Sequence, residues 1–225
     1  MVNTTQPTQV KAWTTALNPL MHTGINWSEL RLAYRTFRKD PAQGIRHIIA
    51  AARESHWQKW VNSRLARQVA HLEKDELSIN MAELSKLPEH TLGRAYAQHM
   101  ISQGFDPEAF MIQYGTQESC QDSWLDKRFA LSHDVYHVIT GFDASPVGEF
   151  GLAALCLAQQ WNLLNVFVLS FLPLNVISNF SLAPRLIAST LKGFIMGLIC
   201  KPIFAYPFES NWHKPVSEVR KDLGI

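Results

Sequence analysis

The chain has 225 residues, 47% hydrophobic and 18% charged, with a formal net charge of +2. This is the composition of a globular protein at the lipophilic end, long enough to bury a substantial core, and too weakly charged for a nucleic-acid binder. Cys120, Cys156 and Cys200 are too few and too widely spaced for a disulfide framework or a cysteine-type zinc site. They read as buried free thiols in a reducing compartment.

Residues 1–25 read as a loose arm, with Pro7, Pro19 and mixed polarity. The arm holds one lysine, no arginine and no long apolar run, so neither a secretory signal nor a mitochondrial transit peptide is supported. One helical domain is expected over residues 26–225. Ser28 can cap a helix to about Lys39, stopped by Asp40-Pro41. Residues 44–68 carry Ile45, Ile48, Ile49, Ala52, Trp57, Trp60, Val61 and Leu65 at helical spacing and predict one long helix. Nine Lys or Arg face only Asp40 and Glu54 between Arg31 and Arg67. Arg31, Arg35 and Arg38, interleaved with Leu32, Tyr34 and Phe37, form either a solvated helix face or a basic surface for anionic lipid or an acidic partner.

Thr91 to Ser102 predicts a helix ended by Gly104, and Gln121 to Thr140 another. Pro146 to about Leu172 predicts a long apolar helix ended by Pro173, and Leu182 to Cys200 a further one. A short last helix runs from Pro215 to Gly224. Sustained period-two alternation is missing, so the fold class is all-α, a single compact domain of about six to eight helices around an apolar ligand cavity. A membrane span needs roughly 20 apolar residues. Gln159, Gln160 and Asn162 interrupt the 150–172 stretch, which reads instead as a core helix lining a lipophilic cavity through Leu152, Leu155, Ala158, Gln159 and Asn162.

The chemistry concentrates in residues 133–149. On a helix, His133 and His137 lie one turn apart on one face, with Asp134 about 100° to the side. Thr140-Gly141 can end that helix, and Ser145-Pro146 can start the next as N-cap and first residue. The turn would bring Glu149 back to the histidines. Two imidazoles and two carboxylates suit Zn²⁺, with Fe²⁺, Mn²⁺ or Mg²⁺ as alternatives. A chance histidine pair, with Glu149 merely favouring a helix N-terminus, is the bland alternative. Against it, residues 150–184 contain no Asp, Glu, Lys, Arg or His, and a carboxylate heading such a stretch calls for a partner. Tyr136 and Asp143 are candidate partners for the imidazoles.

This H-D-x-x-H-x₁₁-E pattern resembles the signature of the COQ-four family of ubiquinone (coenzyme Q) biosynthesis proteins. Leu87-Pro88-Glu89-His90-Thr91-Leu92-Gly93-Arg94-Ala95-Tyr96 is similar to that family's L-P-x-x-T-L-G-x-x-Y segment. The tail from Trp212 through Pro215 and Arg220 to Leu223-Gly224-Ile225 is similar to its W-x-x-P-x-x-x-x-R-x-x-L-G-I ending. The resemblance implies His133, Asp134, His137 and Glu149 as metal ligands, with Arg128 near a substrate headgroup. It implies oxidative decarboxylation at ring C1 of a polyprenylated hydroxybenzoate, or a non-catalytic lipid-binding scaffold for a quinone-biosynthesis complex. The HD-type hydrolases, a third class, space their ligands differently. The expected partners are a polyprenyl lipid or quinone precursor, other quinone-biosynthesis enzymes, a membrane surface and a second copy of the chain in a homodimer. The expected location is peripheral, on the cytoplasmic face of a bacterial membrane or the matrix side of the mitochondrial inner membrane.

Overall fold

Helix caps punctuate the chain. The structure, a computed structural model, describes residues 23–72, 79–104 and 122–225, so most of the expected N-terminal arm and Cys120 lie outside the described residues. The contacts gather into two compact units, residues 1–60 and 61–225.

In the first unit, α1 (Trp27–Thr36) packs on α2 (Pro41–Ala52). Asn26, rather than the expected Ser28, caps α1 by accepting from the Ser28 and Glu29 amides. Asp40 does more than stop α1. Its side chain accepts from Gln43 N, and Pro41 takes the first position of α2. Gly44 is required where α2 crosses Phe37: a Cβ there would lie 2.6 Å from the Phe37 Cα. The single helix expected over 44–68 is two helices. The chain breaks after Ala52, and Ser55 Oγ accepts from Gln58 N to start α3 (His56–Gln68).

Among its described residues the second unit holds helices joined by turns and one isolated bridge, Thr91 to Pro215. A short α4 (Met81–Leu84) precedes α5 (Leu92–Gln103), which Thr91 caps and left-handed Gly104 ends. Then follow α6 (Asp122–Thr140), α7 (Pro146–Gln160), α8 (Leu163–Ser170), α9 (Leu172–Ser178), α10 (Ala183–Ile199), two 3₁₀ turns at Ile203–Ala205 and Phe208–Ser210, and α11 (Val216–Leu223). The expected long helix from Pro146 to Leu172 is therefore two, with a third beginning at Leu172. Trp161 takes a left-handed φ of 56° and closes α7, and Asn162 caps α8 through Asn165 N. Pro173 lies in the first turn of α9 and opens that helix instead of ending one.

The main core joins α5, α6, α7 and α11 through Tyr96, Val135, Ile139, Leu152, Leu155 and Val219. Two of its joints bear on function. α7 and α10 meet backbone to backbone: a Cβ on Gly193 would fall 1.9 Å from the Gly151 carbonyl oxygen, and one on Gly197 2.6 Å from that of Leu155. The C-terminal tail closes over the start of α5, with Leu92 N donating to Lys214 O at 2.8 Å and Gly93 N to Trp212 O at 2.9 Å. These are amides that a helix start leaves without partners. The outer side of α9 and α10 stays apolar and exposed: Ile177 (73%), Phe180 (84%), Leu191, Ile195, Leu198 and Ile199. Among the described residues no helix is long and apolar enough to cross a membrane.

Candidate metal centre

Three of the four expected ligands converge. Helix α6 puts His133 and His137 on one face, and Gly141, at φ 76°, ends it in the left-handed conformation its position requires. Ser145 accepts from Gly148 N, Pro146 fills the first position of α7, and Glu149 falls in that first turn. Gly148 is needed for this turn, because a Cβ would meet the Asp143 carbonyl oxygen at 1.9 Å. His137 Nε2 lies 3.2 Å from His133 Nε2 and 3.2 Å from Glu149 Oε1, and His133 Nε2 lies 3.5 Å from Glu149 Oε2. All three offer a ligand atom within 4.8 Å of the others.

These separations test whether the site fits a metal. Tetrahedral zinc with bonds near 2.0 Å has ligand–ligand edges of about 3.3 Å, the size of the triangle here. The histidine chemistry agrees. His137 Nδ1 lies 2.8 Å from the Phe142 carbonyl oxygen. A carbonyl only accepts, so Nδ1 donates to it, and in the neutral ring Nε2 turns its lone pair into the triangle. That partner is a backbone oxygen rather than the expected Tyr136 or Asp143. Asp143 instead binds the Ser145 amide and hydroxyl.

The charges are coupled. Burial by itself would raise the Glu149 carboxyl, yet hydrogen bonds and attraction from His133 and His137 hold it far below the usual carboxylate range. Burial likewise opposes the His133 imidazolium, and Glu149 overrides it to raise that pKa above its ordinary value. The His133 side chain is 42% exposed, so solvent screens part of this coupling. The cluster is a carboxylate between two imidazoles, able to hold either protons or a divalent cation.

The fourth expected ligand stands to the side. Asp134 Oδ1 lies 3.7 Å from Nε2 of His99, a residue of α5 whose ring stacks on His137 at 5.4 Å between centroids. Sequence spacing gave no sign of His99, because it reaches the site only through the packing of α5 on α6.

The remaining candidates have other neighbours. Arg128 is 1% exposed and points inward: Nε donates to Phe204 O at 3.1 Å, Nη2 to Tyr206 O at 2.7 Å and Nη1 to the Glu209 carboxylate. Its guanidinium carbon lies 4.4 Å from the Phe208 ring centre. Leu152 and Leu155 are core residues, and Ala158 packs beside Gly197. Gln159 donates to Cys200 O and Lys201 O and accepts from Ile203 N, while Asn162 is the cap of α8. Arg31, Arg35 and Arg38 are exposed on the first unit. Cys156 and Cys200 are buried free thiols.

Residues 57–225 match the family model described as coenzyme Q (ubiquinone) biosynthesis protein Coq4. The mitochondrial ubiquinone biosynthesis protein coq4 of Penicillium rubens is 28% identical over 158 residues, 66% of this chain and 51% of that protein. Its counterpart in Aspergillus niger is 29% identical over 157 residues, 66% of this chain and 50% of that protein. The chain thus spans about half the length of the curated relatives it matches. The crystal structure of a proposed ubiquinone biosynthesis protein from Nostoc punctiforme superposes with a TM-score of 0.72 at 27% identity, covering 89% of this chain and 98% of that one. The family match covers the whole second unit, motif, tail and triangle together, and the chain belongs to the Coq4 family of ubiquinone biosynthesis proteins.

Proposed function

We propose that this chain binds one divalent cation, zinc foremost, through His133, His137 and Glu149, with Asp134 completing the set. We further propose that it uses the cation on a polyprenylated aromatic intermediate of ubiquinone synthesis. The observation that carries this reading is the triangle of ligand atoms, whose edges suit a tetrahedral ion. When bound, such an ion would supply Lewis acidity, with Asp134 or Glu149 releasing to open a position for a carboxylate or phenolate on the ring; loss of the ring C1 carboxyl is the reaction proposed. The chain's own residues orient the site: Phe142 O fixes the His137 tautomer, and the caps at Gly141 and Ser145 aim Glu149. The exposed apolar side of α9 and α10 supports a peripheral membrane location where the isoprenoid tail is received. Residues 150–208 contain no acid, while Arg185, Lys192 and Lys201 are exposed there, a charge balance suited to anionic lipid. The breadth of that apolar side also favours a second reading, a lipid-holding subunit that presents the ring to partner enzymes.

Metal analysis of the purified chain tests the site. About one divalent ion per chain is expected for this ligand set, with loss of most of it in a folded His133→Ala/His137→Ala variant; full occupancy in that variant refutes the site. Turnover of a prenylated hydroxybenzoate by the loaded protein separates enzyme from scaffold.

A further inference from the structure

We propose that His99 is a positioning residue for Asp134, holding its carboxylate beside the His133–His137–Glu149 triangle as the fourth ligand. The inference rests on the metal reading above and adds a residue outside the H-D-x-x-H-x₁₁-E pattern. Four observations carry it. His99 Nε2 is buried and has no hydrogen-bond partner. It lies 3.7 Å from Asp134 Oδ1, about half an ångström beyond hydrogen-bond range. The His99 ring lies nearly parallel to that of His137, 22° between planes, which fixes the plane in which its nitrogens lie. The His137 ring that His99 stacks on lies 4.9 Å from the His133 ring centre, so the pair stands at the cluster's edge.

Tyr96, one turn earlier on α5, adds to the same picture. Its hydroxyl is buried without a partner, and burial together with the Asp134 charge keeps it protonated well above its ordinary range. Helix α5 thus carries both of these buried polar atoms without partners, and the His99 nitrogen lies 3.7 Å from the Asp134 carboxylate. A small movement of Asp134 closes the bond from His99 Nε2–H to one oxygen and leaves the other oxygen for the ion. Metal-binding carboxylates are regularly held by such a second hydrogen bond, and loss of one costs about ten- to a hundredfold in metal affinity.

The test is zinc affinity of the full chain by competition with a chromogenic chelator. The variants are His99→Phe, His99→Gln, Asp134→Ala and the His99→Phe/Asp134→Ala double. Phenylalanine keeps the ring contact with His137 and removes the donor; glutamine restores an N–H. The expected result is a roughly tenfold loss for His99→Phe, recovery to near the parent value for His99→Gln, and no further loss on adding His99→Phe to Asp134→Ala. Unchanged affinity in His99→Phe overturns the inference, as does an equal loss in the Asp134→Ala background, because His99 would then not act through Asp134. Cobalt substitution gives an independent readout: the visible spectrum of His99→Phe should match that of Asp134→Ala, and a spectrum identical to the parent overturns the proposal. Failure of the unsubstituted chain to bind zinc or cobalt overturns the metal reading itself, an outcome distinct from selective failure of the His99 variants.

Discussion

Replacing Arg128 by methionine discriminates between an inward strut and a headgroup ligand. The parent guanidinium is 1% exposed and donates to two backbone carbonyls, Phe204 O and Tyr206 O, and to the Glu209 carboxylate. Burial disfavours the charge on Arg128 and on Glu209 alike, and each offsets part of the other's cost. Methionine keeps much of the volume and the contact with Phe208. It strands the two carbonyls, at about 1–3 kcal/mol each, and leaves Glu209 without a countercharge, about 3–5 kcal/mol for breaking such a pair. These costs overlap, and Glu209 is 33% exposed and can relax toward water, so a net loss of about 4 kcal/mol is expected. With a urea slope of about 2–3 kcal/mol/M for a chain of this size, the unfolding midpoint falls by roughly 1.5 M. Adding Glu209→Gln removes the stranded charge and recovers about 1–2 kcal/mol. An unchanged midpoint, with weakened binding of a prenylated hydroxybenzoate, refutes the strut and restores Arg128 as a headgroup ligand.

Three further outcomes follow from the structure. Gly193→Ala drives a methyl group into the Gly151 backbone, which cannot yield as a flexible side chain would, so stability falls by about 3 kcal/mol, the upper end for overpacking. Because Gly151 is two residues from Glu149, zinc affinity falls too; a variant with parent stability and affinity contradicts the close helix contact. The metal-free chain should show a definite pH profile. The Glu149 carboxyl is depressed, so its contribution is present above 4.5 and lost as pH falls through the lowered value. His133 is raised, so its contribution is complete below 6.5 and lost as pH rises through the raised value. Site stabilisation of the metal-free chain is therefore greatest between these two limits. Above them zinc gains affinity as the proton leaves His133, so melting of the metal-free and zinc-loaded chains must diverge as pH rises; parallel profiles contradict the coupling. In flotation with anionic vesicles, binding should weaken but persist as salt rises. Each basic residue contributes on the order of 1 kcal/mol and is screened, whereas apolar insertion is not. No flotation at low salt removes the membrane assignment.

What could be read along the chain was what is written locally. Thr91, Gly104, Gly141, Ser145-Pro146 and Gly224 mark ends of helices because caps act over three or four residues. His133, His137 and Glu149 were readable for the same reason: one helix turn and one capped corner set their geometry. The errors share a cause. Apolar residues recur at helical spacing from Ile45 to Leu65, and Gln159, Gln160 and Asn162 within 150–172 are residues a helix tolerates, so period alone cannot register the breaks. Ser55 and Asn162 carried the missing cap signals, while Trp161 in a left-handed conformation has none to offer. His99 and Phe142 O lay beyond local reading, one brought in by helix packing and the other a backbone atom present in any residue.

The three separated motifs join into one mechanical unit, which explains a tail and a turn that supply no ligand. Gly93 sits so close to Leu87, Leu84 and Trp212 that a Cβ would collide with them. The amides of Leu92 and Gly93 bind carbonyls of the tail, and Val216 N returns a bond to His90 O. From the same tail, Arg220 Nε donates to Ile139 O at 2.6 Å and Nη2 to Val138 O at 3.2 Å. Those carbonyls belong to the last turn of α6, where helices leave acceptors unpaired and favour a cation. The helix carrying both histidines is thus held at its C-terminus by the tail, and the tail is clamped to the start of α5, the helix that carries Tyr96 and His99. A change at Trp212, Pro215 or Arg220 therefore reaches the His133–His137–Glu149 triangle through hydrogen bonds to backbone carbonyls.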